Sequence, residues 1–571
     1  MSSADEKTIW QVKTYLSSTT DTNIRYIPTL NEGQITTHKA KTEEFKRSFF
    51  PPPPPADLRD IEGARYPEPV PCNFTITLQQ VLTAINKASP DKAPGPNGIT
   101  NRVLKKNLTT IQHHLLALAQ VSLQVGHFPT SCKTMTTIVL PKPAKPDYTK
   151  AKAYRPIALE NTMGKILESI VAELISYLTE TYELLLKQHY GGRPGRTAED
   201  AMLVLSENIH PAWKKGEIYS AIFLDVVGAF NNVHHKRLIY NMRKRRIPTP
   251  ITQWLMSFLT DRTTRLRFNG SISEPISMPA GVPQGSPLSP LLYMYYNGDL
   301  LDISKEQESS QGFIDDIAFG VEGLTDEGTT PRLQSIMEEV EKWRQKHGVQ
   351  FEHDKSVLIH FTANKRRSTD ATITVAGITI KPSKDARYLG VTFDQSLKFD
   401  KHLQQATKKG MIFALAMSGA ANCICGPQIR YIRQLFTAIV VPRTDYGAII
   451  WHRPKAHGQL PAGKINRLVG PQRLAIKGII GSFRTAPTSA LQYETQLPPP
   501  DLRLKRKVLQ SLTRMQTLPS SHPISPWVEK ATWDSRQQQT CHISNLESLA
   551  RNFPEYTTTL VEKISPFIRP P

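Results

Sequence analysis

The chain has 571 residues, enough for three to five folded units at roughly 100–200 residues each. Hydrophobic residues make up 39% of it, and 71 Lys and Arg against 50 Asp and Glu leave a formal charge of +21. That surplus points to an anionic partner, most commonly a nucleic-acid backbone, with a basic surface that only aids solubility as the plainer alternative. The absence of any run of about 18 apolar residues argues against a membrane span.

In chain order, the opening MSSADEKTIW has neither the apolar stretch of a secretory signal nor the Arg-rich pattern of a transit peptide. Residues 1–50 read as polar and irregular, and the run of prolines 51–55 reads as an extended spacer. Helical periodicity appears over 75–88, and KAPGPNGI (92–99) is a rigid loop before a second helix over 101–125. TTIVLPKP (136–143) reads as a strand ended by proline, 160–180 as a helix, and 198–213 as a helix with Ala198, Met202, Leu205 and Ile209 on one face. AIFLDV (221–226) predicts a buried strand. GFIDDIAF (312–319) predicts a hairpin with its carboxylates at the turn, and ATITVAGITI (371–380) a hairpin with Ala-Gly at its tip. Beyond about residue 400 the pattern is helical and basic, and prolines 498–500 mark another linker. Five cysteines, Cys72, Cys132, Cys423, Cys425 and Cys541, are too few and scattered for a disulfide framework. Cys423 and Cys425 have the wrong spacing for a zinc knuckle, so reduced intracellular thiols are expected.

The acids in apolar segments carry the chemistry. Asp225 ends an apolar strand, and Asp315 and Asp316 interrupt another apolar run, where unpaired carboxylates are costly. Asp225 has a plainer reading as the cap of the next helix. Taken together, two adjacent repelling acids and a third at a strand edge are best resolved by a cation, and hard oxygen ligands suit magnesium. Two ions held by such acids are a general means of phosphoryl transfer in polymerases. Phosphate-binding cations are at hand in Lys142 and Arg155, and Lys355 could protonate a leaving pyrophosphate; each alone also reads as an ordinary surface charge.

These segments follow one another in a recognisable order: KAPGPNGI, LPKP with YRPIALENTMGKILE, QHYGGRPGRTAEDA, AIFLDVVGAFNNV, AGVPQGSPLSPLLY, GFIDDIAF, FEHDKS and RYLGVTFD. Over roughly residues 90–400 the chain resembles the reverse transcriptases of non-long-terminal-repeat (LINE-like) retrotransposons, with filamentous fungi as the nearest likeness. The resemblance implies an α+β right-hand polymerase of fingers, palm and thumb, with a palm sheet flanked by helices and a helical C-terminal region. It implies an RNA-directed DNA polymerase working with two Mg2+ ions (Mn2+ as substitute), an RNA template, a DNA primer or target, and deoxynucleoside triphosphates. Asp225, Asp315 and Asp316 match the metal-binding acids, and Val226 the position whose backbone also holds metal. Lys142 and Arg155 match the triphosphate clamp, Phe230 the aromatic that excludes a 2′-hydroxyl, and Gln284 the residue lining the incoming nucleotide. Lys355 matches the general acid, and Tyr388, Leu389, Gly390 and Val391 match the primer grip.

The chain departs from the family pattern at Val227, where a charged residue is usual, at Asn231, where Asp is frequent, and at Phe313-Ile314 before the acidic pair. The implied organisation is an N-terminal polar extension and Pro-rich linker over 1–70, fingers and palm over 71–400, a helical thumb or connection over 401–515, and a C-terminal linker over 516–571 that stops before a ribonuclease H position. No endonuclease domain is expected, so an endonuclease from another chain is an expected partner. The likeness places the protein in the nucleus, with the mitochondrion as the alternative compartment. Two other readings stay open on the sequence alone: a decayed remnant that only binds nucleic acid, and a group II intron maturase.

Overall fold

The computed structural model describes residues 26–31, 33–53, 55–143, 145–305, 308–420, 429–454, 462–537, 541–558 and 561–565. The opening MSSADEKTIW, Cys423, Cys425 and the closing PFIRPP lie outside the described residues. The strands are β1 (Thr134–Pro141), β2 (Tyr154–Glu160), β3 (Ile218–Leu224), β4 (Thr263–Phe268), β5 (Ser271–Ile272), β6 (Ile276–Ser277), β7 (Glu308–Phe313), β8 (Asp316–Gly323), β9 (Val357–Phe361), β10 (Ile373–Val375), β11 (Ile378–Ile380), β12 (Asp385–Tyr388) and β13 (Val391–Asp394).

One sheet has the order β7-β8-β3-β9, with every neighbour antiparallel. Every residue of β3 is buried, because both faces of the sheet are covered. Ile222 and Leu224 pack with Leu333, Ile336 and Met337 of the helix Asp326–His347, while Ala221 and Phe223 pack with Ala201, Met202 and Leu205 of the helix Ala198–Lys214. Burial on both faces is why this strand reads as an unbroken apolar run rather than as alternation.

The second sheet has the order β2-β1-β4-β5, with β6 on β4; β1 pairs antiparallel with β2 and parallel with β4. Phe45 and Phe49 of the helix His38–Phe49 bury Val139, Tyr154, Leu266 and Phe268 on one face of it. The sequence alone reads this stretch as irregular. Only two phenylalanines, one turn apart, carry the apolar stripe, and the rest of the helix is polar. Its start is set by Thr37, whose side chain accepts from Ala40 N at 3.2 Å.

Three further differences have local causes. The helix expected over 101–125 is two, Asn101–Lys106 and Leu108–Gln124, because Asn107 leaves helical geometry (φ −106°, ψ 22°) and its side chain donates to the Val103 carbonyl at 2.8 Å. Asp316 opens β8, so Asp315 alone of the acidic pair sits in the hairpin turn. The stretch after 516, expected as linker, contains the helices Ser525–Ser535 and Asn545–Asn552, whose Val528, Leu546 and Leu549 join the core on the Ala198–Lys214 side of the sheet.

The helices Asp400–Ala420 and Ala462–Ile480 pack along each other and enclose a separate core with Ile432, Leu435 and Ile439. Two sheets flanked by helices, followed by a helical C-terminal region, make an α+β fold consistent with a right-hand polymerase. No helix of the described residues is long and apolar enough to cross a membrane. Cys72, Cys132 and Cys541 are unpaired thiols.

Candidate active site

The β7–β8 hairpin is closed by Ile314 and Asp315, with Phe313 opposite Asp316. Ile314 has φ 59°, a left-handed conformation that a β-branched residue rarely adopts, at a strain of order 1–3 kcal/mol. Its surroundings hold it there. Asn297 Nδ2 donates to the Ile314 carbonyl at 2.6 Å. Gly312 N donates to Gln188 O at 3.1 Å, and Tyr190 N to Gly312 O at 2.7 Å. Gly191 permits the close approach, since a Cβ there would lie 2.4 Å from Ile314 Cγ1.

β3 lies beside β8 with Leu224 opposite Ile317, so one further step brings Asp225 alongside Asp316. Strand alternation puts Phe223 and Asp225, and likewise Ala318 and Asp316, on one face. Past the sheet, Glu352 N donates to Asp225 O at 3.0 Å and Val227 N to Gln350 O at 2.9 Å. Val226 faces Phe351 between these bonds, which leaves its own carbonyl on the β8 side.

The electrostatics follow from this crowding. Burial raises the Asp315 carboxyl above its ordinary range, and the Asp225 charge adds to the shift. Asp316 meets solvent at the start of β8; partial loss of water there, then Asp315 and Asp225, push it up to about 6. Lys355, on the short turn His353–Lys355, places Nζ 3.4 Å from Asp225 Oδ2 and also pairs with Glu352. Burial works to lower its pKa, but Glu352 and Asp225 outweigh it, so the pKa is raised and the ammonium keeps its proton.

Lys142 leaves the end of β1, where Leu140 stands opposite Arg155 of β2. Its Nζ donates to Lys152 O at 3.0 Å. Burial, followed by the like charges of Lys145, Lys355 and Arg155, lowers its pKa. Of the three cations read from the sequence, Lys355 pairs with Asp225, and the charges of Lys355 and Arg155 both reach Lys142.

The loop carrying Gln284 connects the remaining pieces. Ala158 N of β2 donates to Gln284 O at 2.8 Å, and Val282 N donates to Phe230 O at 2.7 Å. Gly281 has no room for a side chain, because a Cβ would lie 2.9 Å from Phe230 O. The Phe230 ring is half-buried and rests on Tyr293, with centroids 5.5 Å apart. On the other side of the acids, Tyr388 and Val391 close the β12–β13 hairpin through Leu389 (φ 45°) and Gly390 (φ 92°), a turn that needs two left-handed residues. Tyr446 Oη donates to Leu389 O at 2.8 Å, and the Tyr388 ring lies 5.1 Å from that of Phe223. Burial raises the Tyr388 hydroxyl pKa, and Asp316 is the largest charge adding to it.

Asp225, Asp315 and Asp316 thus meet at the adjoining ends of β3, β7 and β8, with Lys355 paired to Asp225 and the Tyr388 ring against Phe223. Among the described residues, no three His, Cys, Asp or Glu side chains are drawn together tightly enough to hold a metal ion by themselves. The donor set nonetheless fits a divalent cation: hard carboxylate oxygens at two strand ends, two of them with raised pKa values, and the third already answered by an ammonium.

Sequence reasoning gave no role to the support beneath the hairpin. Nothing in QHYGGRPGRTAEDA by itself marks what it supports, yet Gln188 to Gly191 brace the turn that carries Asp315. Arg193 fastens that brace by a bidentate pair with Glu180, at 2.6 and 2.9 Å. The adjacent Gly191 and Gly192 were the available signal. Tyr293, beneath Phe230, gave none.

A helix-flanked sheet with acids at adjoining strand ends, one of them paired to a lysine, fits a polymerase of the right-hand class. Residues 140–393 match the family described as Reverse transcriptase (RNA-dependent DNA polymerase), a family that uses divalent metal ions. The chain is 27% identical over 412 residues to a Drosophila melanogaster protein named "Probable RNA-directed DNA polymerase from transposon BS", covering 71% of this chain and 44% of the relative. It is 28% identical over 334 residues to the RNA-directed DNA polymerase from mobile element jockey of Drosophila funebris, covering 57% of this chain and 36% of the relative. The chain thus spans less than half the length of these relatives. A solved structure of apo telomerase from Candida tropicalis is 14% identical, covers 46% of this chain and 53% of its own, and aligns with a TM-score of 0.32, too low to bear on the fold. Over residues 140–393 the chain thus matches the reverse transcriptase family, and it is similar to proteins named as RNA-directed DNA polymerases of transposons and mobile elements.

Proposed function

We propose that this chain copies RNA into DNA, adding deoxynucleotides to the 3′-hydroxyl of a primer. The observation that carries the reading is the convergence of Asp225, Asp315 and Asp316 at adjoining strand ends, with Lys355 Nζ 3.4 Å from Asp225 Oδ2. Asp225, Asp315, Asp316 and the Val226 carbonyl would hold two Mg2+ ions, or Mn2+ in their place. When bound, the ions activate the attacking hydroxyl and neutralise charge on the transferring phosphate. Lys142 and Arg155 bind the triphosphate, Gln284 lines the incoming nucleotide, and Phe230 lies under its sugar. Lys355 carries a proton within reach of the cleft and delivers it to the leaving pyrophosphate. The Tyr388–Val391 hairpin seats the primer end beside Asp316. The +21 charge suits a template backbone. A nuclear workplace, a nicked primer supplied by another chain's endonuclease, and a filamentous-fungal affinity rest on the family likeness alone.

The test is extension of oligo(dT) on poly(rA) with Mg2+. Asp225→Asn and Asp315→Asn should each remove nearly all synthesis while template binding persists. Near-normal extension by either folded variant would refute the assignment.

A further inference from the structure

Behind the Gln284 loop lies a buried polar cluster that the reaction above does not use. Glu168, on the helix Thr162–Thr181, is 0% exposed, and Ser286 is 5% exposed. Ser286 Oγ donates to Glu168 Oε2 at 2.5 Å and accepts from Leu288 N at 3.1 Å. One hydroxyl therefore ties the loop to two helices, Thr162–Thr181 and the one that starts at Ser289 (Ser289–Leu301). Nearby, Arg262 donates to Glu160 Oε1 at 2.5 Å, and its guanidinium lies 4.6 Å from the Phe258 ring centroid. Glu160 ends β2 and precedes the Glu168 helix, so strand, helix and loop form one connected unit.

Such a cluster is poor for stability. Glu168 Oε1, Glu160 Oε2 and Arg262 Nε are buried without a partner, and an apolar filling of the same shape would be at least as stable. What the polar version supplies is a fixed register. Gln284 is held at its carbonyl by Ala158 of β2, and Gly285 presses so close that a Cβ would lie 2.7 Å from Ala158 O. Two residues on, Ser286 is fixed to the helix that follows the same strand. Arg155 belongs to that strand as well. The Ser286–Glu168 bond thus sets where Gln284 stands relative to Arg155.

We propose that Ser286 and Glu168 are a positioning pair for nucleotide binding, holding the Gln284 loop in register with the Arg155 strand. The pair touches no reacting atom, and the inference rests on the polymerase reading above. Burial and the Glu160 charge push the Glu168 carboxyl up to about 8. Glutamine is the close mimic of its protonated form: the amide oxygen can accept from Ser286.

The experiment measures KM for dTTP and kcat on poly(rA)/oligo(dT), with thermal midpoint and template affinity alongside. Ser286→Ala leaves a buried carboxyl oxygen unpaired and frees the loop. It should raise KM roughly tenfold, or ~1.4 kcal/mol, with kcat and template affinity changed less than about threefold. Glu168→Ala should do the same, and Glu168→Gln should restore a KM within about twofold of wild type. A merely structural role would lower the midpoint and the active fraction, hence kcat, and leave KM alone. That pattern, or an unchanged KM in Ser286→Ala, overturns the pair. Wild-type protein that extends nothing overturns the polymerase reading, and this inference with it. An active wild type with an unaltered KM in the variants overturns this inference alone.

Discussion

Lys355 Nζ lies 3.4 Å from Asp225 Oδ2, so the residue assigned to proton delivery is bound to the residue assigned to the metal. A divalent ion on Asp225 would compete for that carboxylate and turn the ammonium toward the leaving group, with Glu352 as its remaining partner. Removal of a general acid costs on the order of 10²–10⁴ in rate. Lys355→Ala should therefore lower single-turnover incorporation by about that factor while dTTP affinity changes little. Lys355→Arg keeps the ion pair but holds its proton too tightly, and should recover little of the rate. Incorporation by Lys355→Ala within twofold of wild type would remove Lys355 from the chemistry.

What the sequence made legible here has a common physical basis. AIFLDV and GFIDDIAF announce themselves because a carboxylate in an apolar run conflicts with burial. The Ala376-Gly377 tip is equally plain, since its φ values of 49° and 80° need residues that tolerate the left-handed region. Contacts made across long separations stay hidden. Nothing near Gly191 says that it faces Ile314, and nothing near Glu168 says that Ser286 reaches it. The helix His38–Phe49 shows only Phe45 and Phe49 as apolar anchors, and its stability comes from Tyr154 and Phe268 far along the chain. In each case the partner is set by tertiary packing, which local periodicity does not encode.

Glu207 gives a pH test away from the chemistry. It is buried on the helix Ala198–Lys214 and accepts from Leu546 N at 3.3 Å. Burial pushes its carboxyl up from 4.5 to about 7, against the opposing hydrogen bonds from Ser544 and Leu546. A raised native pKa means that the folded chain binds more protons than the unfolded chain across this window. Its contribution to stability is complete below about 4.5 and is lost as pH rises through about 7. Glu207→Gln removes that titration. The melting temperature of the variant relative to wild type should climb steadily between these two values, read by calorimetry. A constant offset across the window would show that Glu207 is not titrating there.

Phe230 is the residue proposed to exclude a ribose 2′-hydroxyl. It follows Asp225 by way of the turn at Gly228 (φ 56°), and its carbonyl is fixed by Val282 N at 2.7 Å. The ring is half-buried against Tyr293, and in the proposed function it would lie beneath the sugar of a nucleotide held at Asp225. A ribonucleotide adds one hydroxyl there. The ring offers it no hydrogen bond, a desolvation cost of roughly 1–3 kcal/mol, or about 5- to 150-fold discrimination before any steric clash. Phe230→Val shortens the side chain but keeps it apolar, so the Tyr293 contact is reduced rather than replaced by a polar group. The variant should gain ribonucleotide incorporation by at least that factor while keeping most deoxynucleotide extension, measured as the ratio of kcat/KM for UTP and dTTP on poly(rA). If Phe230 serves only the core around Tyr293, both activities should fall together with the thermal midpoint, and the ratio should stay where it was.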